Sequence, residues 1–351
     1  MQILIQAKKN KVAPVSVFFL LYISRIVVSL TSAQLVTTGK MKTDILLSIS
    51  VSALTTLLVA LPAVLCYIKH KNPFDVKWIS ALYSVYFIFL AAVNISRFSY
   101  FASTTLNPDS QAWVFSAILA VCAFYAAYLG IESLARFSAF GFVLLVLTVI
   151  AAVLLNFGNF QLLNYYPLIS NDAQTVAKNI MYMTSSSSES VIFLCLCKKV
   201  NGSAVKPYLW SVAAAFLTIF ILFFTVIGIM GDGAVLNAFP LYTMFQMAEI
   251  GMIERIDVFY ISLWIFGIFI KSVLLIYCSS TVALKMKSKT KCFVSALAAF
   301  ALSVYFTEFV PVSNVKQLVY IIPFAVFCIV VPIATLIFKK RNYGDELVEK
   351  F

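Results

Sequence analysis

Long apolar runs, interrupted at near-regular intervals by short polar stretches, dominate the chain, and each is long enough to cross a bilayer as a helix. Runs near the ~20 residues that a spanning helix needs occur at 13–36, 44–68, 78–102, 112–131, 137–157, 208–231, 256–284, 292–310 and 317–338. A tenth stretch, 175–197, is ambiguous. Its apolar ends (Ile180, Met181, Met183 and Val191, Ile192, Phe193, Leu194) enclose the polar run Thr184, Ser185, Ser186, Ser187, Ser188, Glu189, Ser190. Hydropathy alone would drop it.

The basic residues settle the count. With ten spans, eighteen of the 26 lysines and arginines fall on one side, in the segments around 8–11, 69–77, 136, 198–206, 285–291 and 339–350. The other side holds Lys40, Lys42, Arg255 and Lys316, while Arg25, Arg97, Lys178 and Lys271 lie within spans. Removing the sixth span would carry the four-lysine loop 285–291 to the outside, against the positive-inside rule. The sequence therefore predicts an all-α integral membrane protein of ten transmembrane helices with both termini cytoplasmic. Lys8, Lys9 and Lys11 precede an apolar run too long for a signal-peptide core, so the first span is expected to stay uncleaved.

Ten spans with a polar break in the sixth match a five-plus-five inverted repeat, in which discontinuous helices 1 and 6 form a site at mid-membrane. On this reading residues 1–351 form a single transmembrane domain, with a first repeat at 13–157, a second at 175–338 and a cytoplasmic tail at 339–351. Between spans seven and eight, Pro240 opens a short interfacial helix, either a cover over the site or a segment resting on the headgroups.

Composition narrows the function classes. The chain is 62% hydrophobic and only 11% charged, against about a quarter charged in soluble domains, which excludes a water-soluble fold and disfavours enzymes on Rossmann, TIM or P-loop scaffolds. The net charge of +12 reflects loop asymmetry, with no nucleic acid implied. The seven cysteines lie mostly inside apolar runs without a CxxC pair, and there is one histidine. Buried thiols are expected, with no metal site and no cofactor.

A charge near the middle of a span costs about 2.5–3.5 kcal/mol on insertion scales and normally faces the bundle interior. Arg25, Glu189 and Lys271 sit near the midpoints of spans one, six and eight. Lys178 and Arg97 lie nearer the outer boundary, where snorkelling to water is the simpler expectation. Serines around a mid-span carboxylate compete for backbone hydrogen bonds and offer hydroxyls to a polar ligand, although they also suit close helix packing. The candidate ligand-binding residues are Ser24, Arg25, Tyr86, Asn94, Ser187, Ser188, Glu189, Ser190, Trp264 and Lys271. Arg25 is expected either to pair with Glu189 or to hold a substrate carboxylate. Lys271 argues against sodium coupling if it approaches the cation site between the first and eighth helices, because its ammonium would occupy that position. Glu254 and Asp257 are read as capping the eighth span, and Glu132 with Arg136 as an i, i+4 pair.

Several short stretches resemble the spore germination permease family, the B subunits of nutrient germinant receptors within the amino acid, polyamine and organocation transporter superfamily. They are Leu106, Asn107, Pro108 with Trp113; Gly130 through Arg136; Tyr166, Pro167, Leu168; and Phe239, Pro240 followed by Glu254, Arg255, Ile256, Asp257, Trp264 and Lys271. The resemblance implies a LeuT-like fold, residence in the spore inner membrane, and assembly with an A-type membrane subunit and a C-type lipoprotein to sense an amino acid or similar nutrient. It carries ligand-site character onto Ser24 and Arg25 and onto Ser187, Ser188 and Glu189. Relatives often have a glycine in the first-span break, where this chain has Ser24 and Arg25. The sequence leaves open an autonomous, sodium-independent amino acid transporter, because fold does not choose between sensing and transport. An intramembrane enzyme is disfavoured, since Glu189 has no second carboxylate or histidine nearby in sequence.

Overall fold

A computed structural model of the chain describes residues 12–37, 43–237, 239–247, 257–283, 288–309 and 318–338. Among these the chain is helical, with one isolated bridge between Val12 and Val200. Helix α1 covers Pro14–Thr37, α2 Asp44–Ile68, α3 Lys77–Phe101, α4 Ala112–Leu129 and α5 Ile131–Leu155. The sixth apolar stretch is two helices, α6 Ala173–Ser185 and α7 Glu189–Leu196, followed by α8 Val205–Met230 and the short α9 Pro240–Gln246. Then come α10 Asp257–Val282, α11 Ser288–Phe309, and the last stretch, α12 Leu318–Phe324 and α13 Val331–Phe338 joined by a π turn at Ala325–Val330. Among the described residues nine stretches are long and apolar enough to cross a membrane, with Pro14–Leu30 a shorter apolar helix beside them. The protein is an integral membrane protein.

Local chemistry sets the element ends. Gly130 alone joins α4 to α5, with φ +96 and ψ 175, a region open essentially only to glycine. Pro240 occupies the first turn of α9, where its missing N–H costs nothing. Asn72 accepts from the Phe74 amide to close the turn before α3. At the other end of α3 a π turn, Ala102–Leu106, prolongs the helix so that the whole stretch runs Lys77–Leu106.

Burial divides the helices into a centre and a periphery. The α6–α7 stretch has 78% of its apolar window buried, against 28% for α4 and 22% for α5. The middle of α1 is buried, including Leu20, Tyr22, Ile23, Ser24, Arg25 and Ile26. Packing follows a paired pattern: α3 lies against α11 and α10 against α4, while α1 lies against α8 and α6 against α2, and α3 and α10 pack on each other. At Gly267 an added Cβ would overlap the Val27 side chain, which marks the close approach of α10 to α1.

One sequence expectation fails. The first span is not discontinuous: α1 is a single 24-residue helix through Ser24 and Arg25. It contains no glycine and no proline beyond its first residue, and its polar side chains bond sideways to other helices, so the helical ladder has no local competitor. The short helix after span seven does form. α9 is tucked against the bundle, with Phe245 on Tyr260 at 5.0 Å and Phe239 on Phe101 at 4.8 Å. Glu254 and the side chain of Asp257, read as caps of α10, lie outside the described residues.

The candidate ligand site at the break in the sixth span

The serine run breaks the helix because its hydroxyls turn back on the preceding turn. Ser185 Oγ donates to the Tyr182 carbonyl at 2.8 Å and Ser186 Oγ to the Met183 carbonyl at 2.7 Å. Main-chain bonds from the Ser186 amide to the Tyr182 carbonyl and from the Ser187 amide to the Thr184 carbonyl close α6, and α7 starts afresh at Glu189. Irregular backbone at this depth requires protein partners, and α2 supplies several. Thr55 and Thr184 hydroxyls lie 2.7 Å apart, Thr56 Oγ1 donates to Ser187 Oγ at 3.4 Å, and Ser52 Oγ donates to the Ile180 carbonyl at 3.4 Å.

Charges of the right sign stand at the two new helix ends. Arg25 donates from Nη2 to the Met183 carbonyl and from Nη1 to Ser186 Oγ, both at 3.2 Å, with its guanidinium 4.6 Å over the Phe216 ring. A cation there complements the C-terminal end of α6, as the Glu189 carboxylate complements the first turn of α7. Glu189 Oε1 accepts from Ser24 Oγ at 3.1 Å and from Lys271 Nζ at 3.2 Å, and Lys271 Nζ also donates to the Ser24 carbonyl at 2.9 Å. The Glu189 and Lys271 side chains are 3% and 4% exposed, so this is a buried ion pair, and Glu189 Oε2 has no hydrogen-bond partner among the described residues. The pairing of Glu189 with Arg25 expected from sequence is thus corrected. The unbranched Lys271 stem reaches the carboxylate, whereas the Arg25 fork is occupied by the end of α6.

Beside the break lies a cavity of about 40 Å³, whose lining includes Tyr86, Asn94, Arg97, Tyr182, Ser185, Ser186, Ser188, Lys271 and Tyr320. Asn94 Nδ2 donates to the Ile268 carbonyl at 3.1 Å and to Ser272 Oγ at 2.8 Å, and Tyr86 stacks on Phe327 with ring centroids 4.5 Å apart. Of the ten candidates, Tyr86, Asn94, Ser188 and Lys271 reach the cavity wall. Ser24, Arg25, Ser187, Glu189 and Ser190 are buried in the layer behind it. Trp264 belongs elsewhere: its ring sits 4.4 Å from Phe101 and 5.8 Å from Phe98, in an aromatic cluster apart from this cavity.

The residue sequence reasoning missed is Arg97. It does not snorkel. It is 8% exposed, donates from Nη2 to the Tyr182 hydroxyl at 3.2 Å and lies 5.3 Å over the Tyr320 ring. The apolar window ended at residue 102, but the π turn carries the helix to Leu106, so Arg97 lies deeper than the window suggests. Also unforeseen was Asp44 at the start of α2, which is fully buried and accepts from the Ser170 amide and hydroxyl and from the Asn171 amide and side chain at 2.8–3.2 Å. It fastens the connection into α6. Polar positions 48, 52, 55 and 56 on one face of span two were the readable signal for its contacts with the sixth span.

Comparison with known proteins fits this architecture. The chain is 26% identical to spore germination protein KB of Bacillus subtilis (strain 168) over 206 residues, 56% of this chain and 55% of that protein. To spore germination protein YndE of the same organism it is 23% identical over 213 residues, 58% of this chain and 59% of the relative. The chain thus matches little more than half the length of these curated relatives. The family model described as spore germination protein, the spore permease family, matches residues 11–312. That match takes in α1 through α11 and every charged residue at the broken span, and the chain accordingly belongs to the spore permease family of spore germination proteins.

Proposed function

We propose that the chain is the B-type membrane subunit of a nutrient germinant receptor, in which a small amino-acid-like molecule bound beside the break in the sixth span triggers germination. The observation that carries this reading is the broken, deeply buried span with a cavity at its break whose wall includes Arg97, Lys271 and several hydroxyls among apolar side chains, in a member of a germination family. Irregular backbone and ionisable groups at mid-membrane are costly and mark binding or conduction sites. On this reading the ten helices form two inverted five-span repeats, 13–157 and 175–338, of the LeuT-like kind. The paired packing supports it, because third on ninth and eighth on fourth, like first on seventh and sixth on second, are the contacts that two equivalent halves would exchange. A-type and C-type subunits would complete the receptor in the spore inner membrane, with both termini of this chain cytoplasmic.

The test is genetic and biochemical. Spores in which this chain carries Lys271→Met should lose nutrient-triggered germination by more than any fall in the abundance of the chain and of its co-purifying partner subunits accounts for. An unchanged nutrient response in those spores would reject the reading. A second function, sodium-independent amino acid transport by the chain alone, is favoured by one observation: Arg25, Arg97, Glu189 and Lys271 all come from this chain. Lys271 Nζ, between the Ser24 carbonyl and Glu189, supplies the positive charge a coupling sodium would bring. Uptake of labelled amino acid into liposomes holding this chain alone would favour transport over sensing.

A further inference from the structure

The charge pattern of the cavity narrows the ligand class, on the reading above that the nutrient binds there. Two cations, Arg97 and Lys271, contribute to its wall, and no aspartate or glutamate is among the described lining residues. Glu189 stands behind the wall, with Oε1 turned to the Ser24 hydroxyl and to Lys271. A neutral amino acid entering this space would set its carboxylate against a cation. Within the described lining its ammonium would then have only neutral acceptors, the hydroxyls of Ser185, Ser186 and Ser188 and the phenols, with the unpaired Glu189 Oε2 behind the wall, while lying within the same small space as two positive side chains. Like charges at such range repel strongly where water is excluded.

Further observations act in the same direction. Arg97 is held in place by the Tyr182 hydroxyl and the face of Tyr320, so its fork is ordered before any ligand arrives, which lowers the cost of binding. Ser188 lines the cavity and immediately precedes α7, whose N-terminal end favours negative charge. Arg25 and Lys271 add positive charge close by, countered among the four site residues by Glu189 alone. The present space holds only about three waters, at roughly 10–15 Å³ for each. Admission of a ligand therefore requires the lining of this space to move apart.

We infer that the site takes a net-anionic small molecule bearing two acidic groups, an acidic amino acid or a dicarboxylate, with one carboxylate on the Arg97 guanidinium and the other toward Lys271 and the start of α7. Binding to the purified full-length chain in lipid nanodiscs, followed calorimetrically with L-aspartate, succinate, L-asparagine, L-alanine and putrescine, tests it. Aspartate and succinate should bind about tenfold or more tighter than asparagine and alanine, and Arg97→Gln should erase that preference. Arg97→Lys, which keeps the charge, should retain the order of preference at lower affinity, and the ligand-free melting temperature of each variant reports whether it folds. Asparagine or alanine binding as tightly as aspartate would overturn the inference and leave the sensing role standing. Failure of every carboxylate in the panel, or a preference for putrescine, would remove both.

Discussion

Glu189 and Lys271 illustrate why a buried ion pair is better read as a constraint than as a source of stability. Desolvating two charges costs several kcal/mol each, which their attraction offsets only when geometry and further hydrogen bonds are good. Here Ser24 supplies both a hydroxyl to the carboxylate and a carbonyl to the ammonium, which pins span one to spans six and eight at a single point. Removing either partner strands the other charge. Lys271→Met and Glu189→Gln should each cost about 3–5 kcal/mol, and the double variant less than their sum. Unfolding in mixed micelles measures the cycle, and additive losses would mean that the two side chains do not act as a pair. Arg25 is different. Its bonds go to a carbonyl and a hydroxyl of the closing α6 turn, so Arg25→Ala should show a smaller coupling to Glu189 than Lys271→Met does in the same assay.

At the scale of elements, close approach and helix ends decide what is held where. Gly267 lets α10 lie against Val27 of α1, which keeps Lys271 within reach of Ser24. Gly267→Ala should destabilise by about 1–3 kcal/mol through overpacking, and Val27→Ala in the same chain should recover much of the loss. A lack of rescue would show that the two helices do not meet there. Asp44 fastens the connection before α6, and Asp44→Ala, which strips the charge-assisted acceptor from Ser170 and Asn171, should make the 160–172 segment markedly more open to protease. These elements also show how much the sequence discloses. Span positions were legible because a bilayer demands long unbroken apolar runs, and the break in span six was legible because serines cluster around a carboxylate. Burial of Arg97 was not, since a π turn that lengthens a helix leaves no hydropathy signal. The same limit applied to Arg25, Glu189 and Lys271: depth along a span is readable, but which cation reaches the carboxylate depends on helix rotation and stem length. The unbroken first span shows the converse, that a polar pair without glycine or proline is too weak to interrupt a helix embedded in apolar neighbours.

For the whole molecule, the sixth stretch determines the direction of everything after it. Its two halves are too short to cross alone, at 13 and 8 residues, yet together they run Ala173–Lys199 and are the most buried of the nine candidate spans. Burial reduces the hydropathy objection, because the hydroxyls of Thr184, Ser185 and Ser187, which would be costly against lipid, are satisfied by α2 or by their own preceding turn. If the pair crosses the membrane, the α5–α6 connection and the start of α11 lie on opposite sides. If it does not, every later helix reverses and they share a side. Leu163, 81% exposed, and Lys289, also exposed, are suitable reporters in a background with the seven native cysteines replaced. Cysteine at Leu163 should react with a membrane-impermeant thiol reagent only from the outer face, and cysteine at Lys289 only after the cytoplasmic face is opened. Reaction of both from one side would reduce the chain to nine crossings, place the four-lysine loop outside against the charge rule, and remove the basis for pairing the two halves as inverted repeats.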